Sequence, residues 1–158
     1  MALIIEDGSI VANANSYVTA QEFEDWMTDR GYAVEGSQSK QEQHILKAMD
    51  FIESQNFIGV KYTKEQPLQF PRDRVIIDGY SVEATEIPKE LKDALFNAAR
   101  ADHDGNSKIE PVDRQTTKEK IGDIEVEYSS NSDMTKRTPA LSNALRKLIT
   151  SPNLVSRA

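Results

Sequence analysis

The stretch SKQEQHILKAMDFI, residues 39–52, carries the clearest helical pattern in the chain. Apolar residues recur at intervals of three and four from Ile45 to Ile52, which places them on one face of an α-helix. Ser39 and Glu42 have capping-box spacing, in which the serine accepts from a helix amide and the glutamate accepts from the amide of the cap. The sequence therefore predicts an amphipathic helix that begins at this box.

Two further helices are predicted on either side of this segment. A second capping box, Thr19 with Glu22, precedes apolar residues at helical spacing and predicts a helix over residues 20–30. Pro88 suits the first turn of a helix because its missing amide hydrogen is not needed there. The alanine-rich stripe after it predicts a third helix that ends near Asp102 and packs closely against another helix.

The segment between the second and third helices has no sustained period. Residues 57–87 contain two glycines and two prolines among scattered aromatic residues, which predicts a long irregular loop. Such loops are uncommon in compact domains unless they are functional or pack through their own side chains. We expect this loop to be ordered by Phe57, Tyr62, Leu68 and Phe70.

Residues 117–128 change from helical spacing to a period of two. Charged and apolar residues alternate on both sides of the turn pair Gly122-Asp123, which predicts a β-hairpin with one charged and one thinly apolar side. An isolated two-stranded hairpin is at best marginally stable in water. We therefore expect this hairpin to need a partner.

A fourth helix is predicted behind a polar linker. Residues 129–137 contain few side chains that pack in a core, a composition typical of flexible linkers. Thr138 and Pro139 then supply an N-cap and a first-turn proline. The apolar stripe from Leu141 to Ile149 predicts a helix that ends near residues 151–152.

Together these elements predict a mainly α protein: a small helical bundle with a long irregular loop, a β-hairpin and a tethered C-terminal helix. A length of 158 residues suits one modest core. The predicted organisation is an N-terminal arm (1–17), a helical bundle core (18–105), a β-hairpin and linker (106–137), and a C-terminal docking helix and tail (138–158).

Composition and charge argue against several classes of protein. The formal net charge of −7 opposes binding to a phosphate backbone. The absence of cysteine removes disulfides, thiolate catalysis and cysteine-based zinc sites. No apolar run approaches the roughly 18 residues of a membrane span, and the first residues lack a signal-peptide pattern. We expect a protein made in the cytoplasm, with no membrane partner.

No catalytic, metal or cofactor site is predicted. His44 and His103 are the only histidines, and neither belongs to a metal-binding pair at helical spacing, so both are interpreted as surface residues. The acidic cluster at Asp102 lacks the spacing of a calcium loop. No serine lies in a nucleophile elbow, and no glycine-rich phosphate loop occurs. These patterns predict a protein that is not an enzyme.

The long loop contains the one local pattern that favours nucleic acid. Arginine and lysine can pair with phosphates while nearby aromatic rings stack on bases. In the alternative interpretation, which the acidic composition favours, Phe70 anchors the loop in the core while Arg72 and Arg74 pair with carboxylates. The candidate nucleic-acid residues are Lys61, Tyr62, Lys64, Phe70, Arg72 and Arg74.

Four motifs occur together along the chain. They are VANANSYV at 11–18, PLQFPR at 67–72, Ile87-Pro88, and KIGDIEVEY at 120–128. From about residue 5 to 150, the chain resembles the phage family of DnaT-like single-stranded-DNA-binding proteins. Members of that family are similar in genome position and layout to the head-to-tail adaptors, or connectors, of tailed phages.

This resemblance implies a structural virion protein in the neck of the phage particle. An adaptor of this kind binds beneath the portal protein as a ring with the portal's twelvefold symmetry and joins it to tail or stopper proteins. Genome DNA passes through such a ring without specific binding. An apolar helix behind a polar linker and an unsupported hairpin are the elements that we expect to make the contacts with the portal or a neighbouring subunit. The expected contact residues are Leu141, Leu145, Leu148 and Ile149 of the fourth helix and Ile124, Val126 and Tyr128 of the hairpin.

The family label implies the alternative function. In that case the protein is a replication accessory protein that binds single-stranded DNA through the basic and aromatic residues of the long loop.

Overall fold

The computed structural model describes residues 2–105, 118–121, 124–127 and 139–150. Within these ranges the fold is mainly α, as the sequence predicts. The four helices are α1 (Ala20–Asp29), α2 (Gln38–Glu53), α3 (Lys89–His103) and α4 (Pro139–Leu145). The strands are β1 (Val60–Lys61), β2 (Arg72–Asp73), β3 (Ile76–Ile77), β4 (Tyr80–Ser81), β5 (Lys118–Ile121) and β6 (Ile124–Glu127), which form the antiparallel pairs β1–β2, β3–β4 and β5–β6.

Helix α1 begins at the predicted capping box. Thr19 Oγ1 accepts from the Glu22 amide at 3.1 Å, and Glu22 Oε2 accepts from the Thr19 amide at 2.7 Å. Phe23 and Met27 lie on the buried face. The predicted helix over residues 20–30 is therefore confirmed to within one residue.

Helix α2 is confirmed, but its predicted capping box is wrong. The helix begins at Gln38, and the residue in the cap position is Ser37, whose side chain makes no capping hydrogen bond. Ser39 lies inside the first turn. The Gln41 side chain is buried and donates to the Glu35 carbonyl oxygen at 2.7 Å, so it ties the preceding loop to the helix.

Helix α3 lies between α2 and α4 in the core. Its predicted stripe is buried, from Leu91 through Ala94 and Ala98 to Ala99. Alanine side chains let two helix backbones approach closely, which accounts for the packing of α3 on both neighbours. Among the described residues, no helix is both long and apolar enough to cross a membrane.

The N-terminal segment packs into the core and does not form the predicted arm. The Glu6 carboxylate, only 1% exposed, accepts from the amides of Gly8, Ile10 and Val11 at 2.8–2.9 Å. These bonds give the amides of the turn hydrogen-bond acceptors, so the turn can be buried without unsatisfied donors. Tyr17, further along the same segment, is fully buried.

Gly8 fixes the position of this N-terminal segment. It has a φ of 105°, and a Cβ atom there would collide with the carbonyl group of Thr85. A side chain at position 8 is therefore excluded, both by the backbone conformation and by the close approach of the loop.

Helix α4 is shorter than predicted and packs on α3. It ends at Leu145, and the following residues bond to the start of the long loop: Leu148 O accepts from Ile58 N at 2.8 Å, and Thr150 N donates to Asn56 O at 2.8 Å. The predicted linker (129–137), the cap Thr138 and the tail after residue 150 lie outside the described residues.

The apolar stripe of the predicted docking helix is buried in this chain. Leu141, Leu145 and Leu148 are at most 4% exposed, and Ile149 is half-buried against the core. The leucines therefore do not form the exposed stripe on which the predicted contact with a portal depended. The physical reason is that an amphipathic stripe signals burial without specifying the partner, and here the partner is the chain's own α3.

The predicted β-hairpin is confirmed as the antiparallel pair β5–β6. Its register places Lys118 opposite Glu127 and Lys120 opposite Glu125. Among the described elements, this pair packs against no other helix or strand. The turn pair Gly122-Asp123 and the predicted contact residue Tyr128 lie outside the described residues.

Candidate functional site

The long loop is ordered by two small hairpins. In β1–β2, Lys61 lies opposite Arg72, and in β3–β4, Ile77 lies opposite Tyr80. Asp78 and Gly79 both have positive φ, 52° and 88°, which matches the tight turn that joins paired strands. Asp-Gly between β-prone residues is a strong hairpin signal. The prediction of an irregular loop missed it.

A buried hydrogen-bond network anchors this loop to α2 and the N-terminal segment. The Tyr17 hydroxyl donates to Glu53 Oε1 at 2.6 Å and accepts from the Phe70 amide at 3.0 Å. Glu53 Oε2 accepts from the Gln69 amide at 2.8 Å. Burial raises the pKa of the Glu53 carboxyl group and of the Tyr17 hydroxyl. The network therefore fixes the backbone of residues 69–70 against α2 and the N-terminal segment.

Arg72 holds the loop together from within and is not an exposed basic residue. The residue is only 8% exposed. Its guanidinium group donates to the carbonyl oxygens of Phe57, Ile58 and Gly59 at 2.8–3.2 Å. It also donates to Gln69 Oε1 at 2.9 Å. Burial lowers the pKa of this guanidinium. The expected pairing with a carboxylate is replaced by bonds to backbone carbonyls.

The six candidate nucleic-acid residues therefore separate into two groups. Phe70 is 1% exposed and contacts the Phe57 ring edge-on at 5.1 Å, so neither Phe70 nor Arg72 can reach a strand of DNA. The predicted anchoring role of Phe70 is confirmed. The exposed members are Lys61, Tyr62, Lys64 and Arg74.

Three exposed residues of this surface were missed by the sequence reasoning. Val60 is 49% exposed, Ile76 is 60% exposed and Tyr80 is 80% exposed. The Asp-Gly turn signal would have placed Ile76 and Tyr80 on a hairpin. We define the loop surface as Val60, Lys61, Tyr62, Lys64, Arg74, Ile76 and Tyr80.

The loop surface is electrically balanced. Its exposed basic residues are Lys61, Lys64 and Arg74, and residues 60–80 also expose three carboxylates. Arg74 Nε lies 4.0 Å from the carboxylate of the neighbouring Asp73. A surface of this kind lacks the excess positive charge that usually gives single-strand binding its strength. The three carboxylates belong to Glu65, Asp73 and Asp78.

A groove between α1, α3 and α4 forms a second candidate site. It encloses about 340 Å³. Two arginines lie over aromatic rings: the Arg30 guanidinium is 4.2 Å from the centre of the Trp26 ring, and that of Arg100 is 3.7 Å from the Tyr32 ring. The lining residues are Trp26, Arg30, Tyr32, Asp93, Asn97, Arg100, Ala140 and Ala144.

The groove contains a polar group that the fold leaves unsatisfied. Trp26 is 9% exposed, and its Nε1 atom has no hydrogen-bond partner among the described residues. A buried donor without an acceptor costs about 1–3 kcal/mol. Arg100 Nε lies 3.2 Å from Asp104 Oδ2 as an ion pair, without hydrogen-bond alignment. No local pattern in the sequence indicates this groove, because its residues come from separate elements that meet only in the fold.

The two histidines are held by partners and are not free surface residues as predicted. His44 Nδ1 lies 2.6 Å from Asp102 Oδ2, and the His44 side chain is 22% exposed. His103 Nε2 accepts from the Glu35 amide at 3.3 Å, and its side chain is 10% exposed. Within the described part of the chain, no three His, Cys, Asp or Glu residues form a group that could hold a metal ion.

Comparison of the chain with curated proteins and with solved structures finds no match in either set. A protein-family model described as "Putative DnaT-like ssDNA binding protein" matches residues 1–158. Because this model covers the chain from end to end, the protein belongs to the family of DnaT-like single-stranded-DNA-binding proteins.

Proposed function

We propose that this protein is a phage head-to-tail adaptor that forms a ring beneath the portal protein and joins it to tail or stopper proteins. The observation that carries the proposal is the β5–β6 hairpin, which packs against no other described element. A two-stranded hairpin gains stability from a third strand or a packed face. In a ring, a neighbouring subunit supplies that partner.

The hairpin replaces the C-terminal helix as the proposed contact element. Leu141, Leu145 and Leu148 stabilise the core of their own chain, so a partner cannot use them without unfolding α4. Ile124 and Val126 lie on β6, at register positions opposite Ile121 and Glu119. We therefore assign the contacts with the portal or a neighbouring subunit to the hairpin, including Tyr128 beyond its second strand.

Charge supports the part of this proposal that concerns DNA. The chain has a net charge of −7, and the exposed charges of the loop surface balance. A ring built from such subunits attracts phosphates weakly, so a genome can slide through it. The proposed location is the neck of the virion.

Binding to assembled portal rings tests the proposal. Purified protein is sedimented with portal rings from the same phage, and bound copies are counted. We expect saturation at one copy per portal subunit. A variant in which residues 118–127 are replaced by a short Gly-Ser linker should lose binding, while the exposed-surface variant Lys64→Ala should retain it. Absence of binding to intact rings would reject the adaptor function.

A second candidate function, single-stranded-DNA binding, is favoured by the family description and by four exposed residues of the loop surface. Here Lys61, Lys64 and Arg74 would pair with phosphates, and Tyr62 would stack on a base. Each phosphate contact contributes about −0.7 to the slope of log affinity against log salt for single strands.

Fluorescence anisotropy with an oligothymidylate tests this second function. If it is correct, binding weakens steeply as salt rises, and the triple variant Lys61→Ala/Lys64→Ala/Arg74→Ala reduces the salt slope by about 2. Lys40→Ala, exposed at the start of α2, is the matched control and should leave the slope unchanged. Absence of salt-dependent binding at low ionic strength excludes single-strand binding.

A further inference from the structure

The connecting segment between α1 and α2, residues 33–36, is held to the bundle through one residue. The Glu35 amide donates to His103 Nε2 at 3.3 Å, and the Glu35 carbonyl oxygen accepts from Gln41 Nε2 at 2.7 Å. Ala33, Val34 and Gly36 are exposed and make no hydrogen bond to another described residue. Two side chains, one from α3 and one from α2, therefore hold this segment in place.

The two ring nitrogens of His103 have opposite roles. Nδ1 lies 3.3 Å from Asp104 Oδ1, and an ionised carboxylate can only accept, so Nδ1 carries the ring proton. Nε2 faces the Glu35 amide, which can only donate, so Nε2 presents its lone pair. This arrangement requires neutral His103. A second proton would bind the same lone pair of Nε2, so the proton and the Glu35 amide compete for one atom.

The neighbouring His44 responds to acid in the opposite way. Its Nδ1 lies 2.6 Å from Asp102 Oδ2, so a proton on its other ring nitrogen completes an ion pair and leaves this bond intact. The His44 and His103 rings meet edge-on, with their centres 5.4 Å apart. A proton on His44 therefore adds charge beside His103, but only a proton on His103 removes a bond to the connecting segment.

The other charged groups around the two histidines are of both signs. Lys47 Nζ lies 3.4 Å from Asp102 Oδ1, and Arg100 Nε lies 3.2 Å from Asp104 Oδ2, so each carboxylate already has a cation beside it. Histidine side chains as a class gain their second proton between about pH 8 and pH 5. The charged or titratable groups that surround His103 are Arg100, Asp102 and Asp104 on α3, Lys40, His44 and Lys47 on α2, and Glu35 in the segment itself.

The held position of the segment leaves one polar atom unsatisfied. Gln41 is fully buried, and its Oε1 atom has no hydrogen-bond partner among the described residues. A buried acceptor without a donor costs free energy, which is recovered when water reaches it. Two hydrogen bonds thus hold the segment, and a buried acceptor opposes them. Loss of one of the two bonds should therefore shift the segment toward release.

We propose that residues 33–36 form a pH-sensitive flap, which is closed while His103 is neutral and is released when His103 Nε2 gains a proton. The closed state binds one proton fewer than the released state, so closure is favoured at high pH and is lost as pH falls. Release uncovers Gln41 and the first turn of α2. This inference goes beyond the adaptor function and does not depend on it.

Hydrogen exchange of the Glu35 amide tests the flap in the full-length chain. NMR gives the protection factor, which is the exchange rate of an unstructured chain at the same pH divided by the observed rate. We expect the protection factor to fall at least threefold between pH 7.5 and pH 5.5. In His103→Gln the side-chain oxygen can still accept but does not titrate, so the factor should stay the same. His44→Gln, the matched control, should retain the fall.

Imidazole nitrogen spectra of the natural chain test the same proposal without a variant. At pH 7.5 the His103 proton should lie on Nδ1, and the second proton should appear on Nε2 over the range in which Glu35 loses protection. His103 protonation with unchanged Glu35 protection would overturn the proposal, as would a proton on Nε2 at pH 7.5. An equal fall of protection in folded His103→Gln would also reject it. If His103→Gln does not fold, the imidazole spectra decide.

Discussion

The hairpins of the long loop have strands of two residues and the β5–β6 hairpin has strands of four, but only the shorter hairpins have support beneath them. Under the loop, Arg72 binds three carbonyl oxygens and Glu53 accepts from a loop amide and from Tyr17. Under β5–β6, the described residues provide no packed helix or strand. A short hairpin therefore needs either a buried polar anchor or a partner. An anchored hairpin exposes only its outer residues, whereas an unsupported hairpin has a whole face to offer to a partner.

The largest effect should come from the residue that closes the loop from the C-terminal side. Leu148 is fully buried, and its carbonyl oxygen accepts from Ile58 at 2.8 Å. Leu148→Ala leaves a cavity and should lower the free energy of unfolding by about 3–4 kcal/mol in urea denaturation. Arg146→Ala, two residues earlier and exposed, should change it by less than about 0.5 kcal/mol. Equal effects would mean that the C-terminal segment is not part of the core.

Removal of the arginine anchor should cost slightly less. Arg72→Ala leaves the carbonyl oxygens of Phe57, Ile58 and Gly59 without their donor, and we expect a loss of about 3 kcal/mol. Arg74→Ala removes an equal charge from an exposed side chain and should be nearly neutral. Thermal and urea unfolding of both variants compare the anchor with a surface arginine. A neutral Arg72→Ala would show that the loop needs no anchor.

The pH dependence should be smaller and should have a definite sign. Burial raises the pKa of folded Glu53 above its ordinary value of 4.5, so the folded state binds this proton more tightly than the unfolded state. The contribution of Glu53 to stability is therefore lost as pH rises from about 4.5 through the raised value. Relative to the natural protein, Glu53→Gln should gain stability across this window. If the difference in unfolding free energy between Glu53→Gln and the natural protein is the same at pH 4 and pH 7, the pKa of Glu53 is not raised in the folded state.

The smallest effect should come from the unsupported hairpin. Val126→Lys should change the unfolding free energy by less than about 0.5 kcal/mol, because β6 packs on no other described element. The same substitution should weaken binding to assembled portal rings, because the proposed contact element is this hairpin. A loss of about 2 kcal/mol or more would mean that the hairpin is packed within its own chain, and the contrast with the loop would disappear.

The helices follow from sequence because their evidence is local. The Thr19 box and the stripe that ends at Ile52 specify where chain segments turn and which face is apolar. The same logic predicts an apolar face for the segment after Pro139. It gives no information on what covers that face. The apolar pattern of Leu141 and Leu145 was predicted correctly, but these residues pack against their own chain and not against a partner.

The candidate sites are much less accessible to sequence reasoning. Arg72 reads as an exposed base because nothing near it in sequence indicates that carbonyl oxygens 13 to 15 residues away will surround it. The groove is harder still, since Trp26, Arg100 and Ala144 meet only after three helices have packed. Contacts between distant segments, and not local propensity, decide both.

The docked N-terminal segment has a consequence for the order in which the chain folds. Tyr17 bonds to the Phe70 amide, 53 residues further along the chain, and Gly8 packs on Thr85. Closing such long loops is entropically slow compared with forming a helix. Residues 8–17 must therefore wait until residues 70–85 are in place, so this segment is among the last parts of the fold to reach its native position.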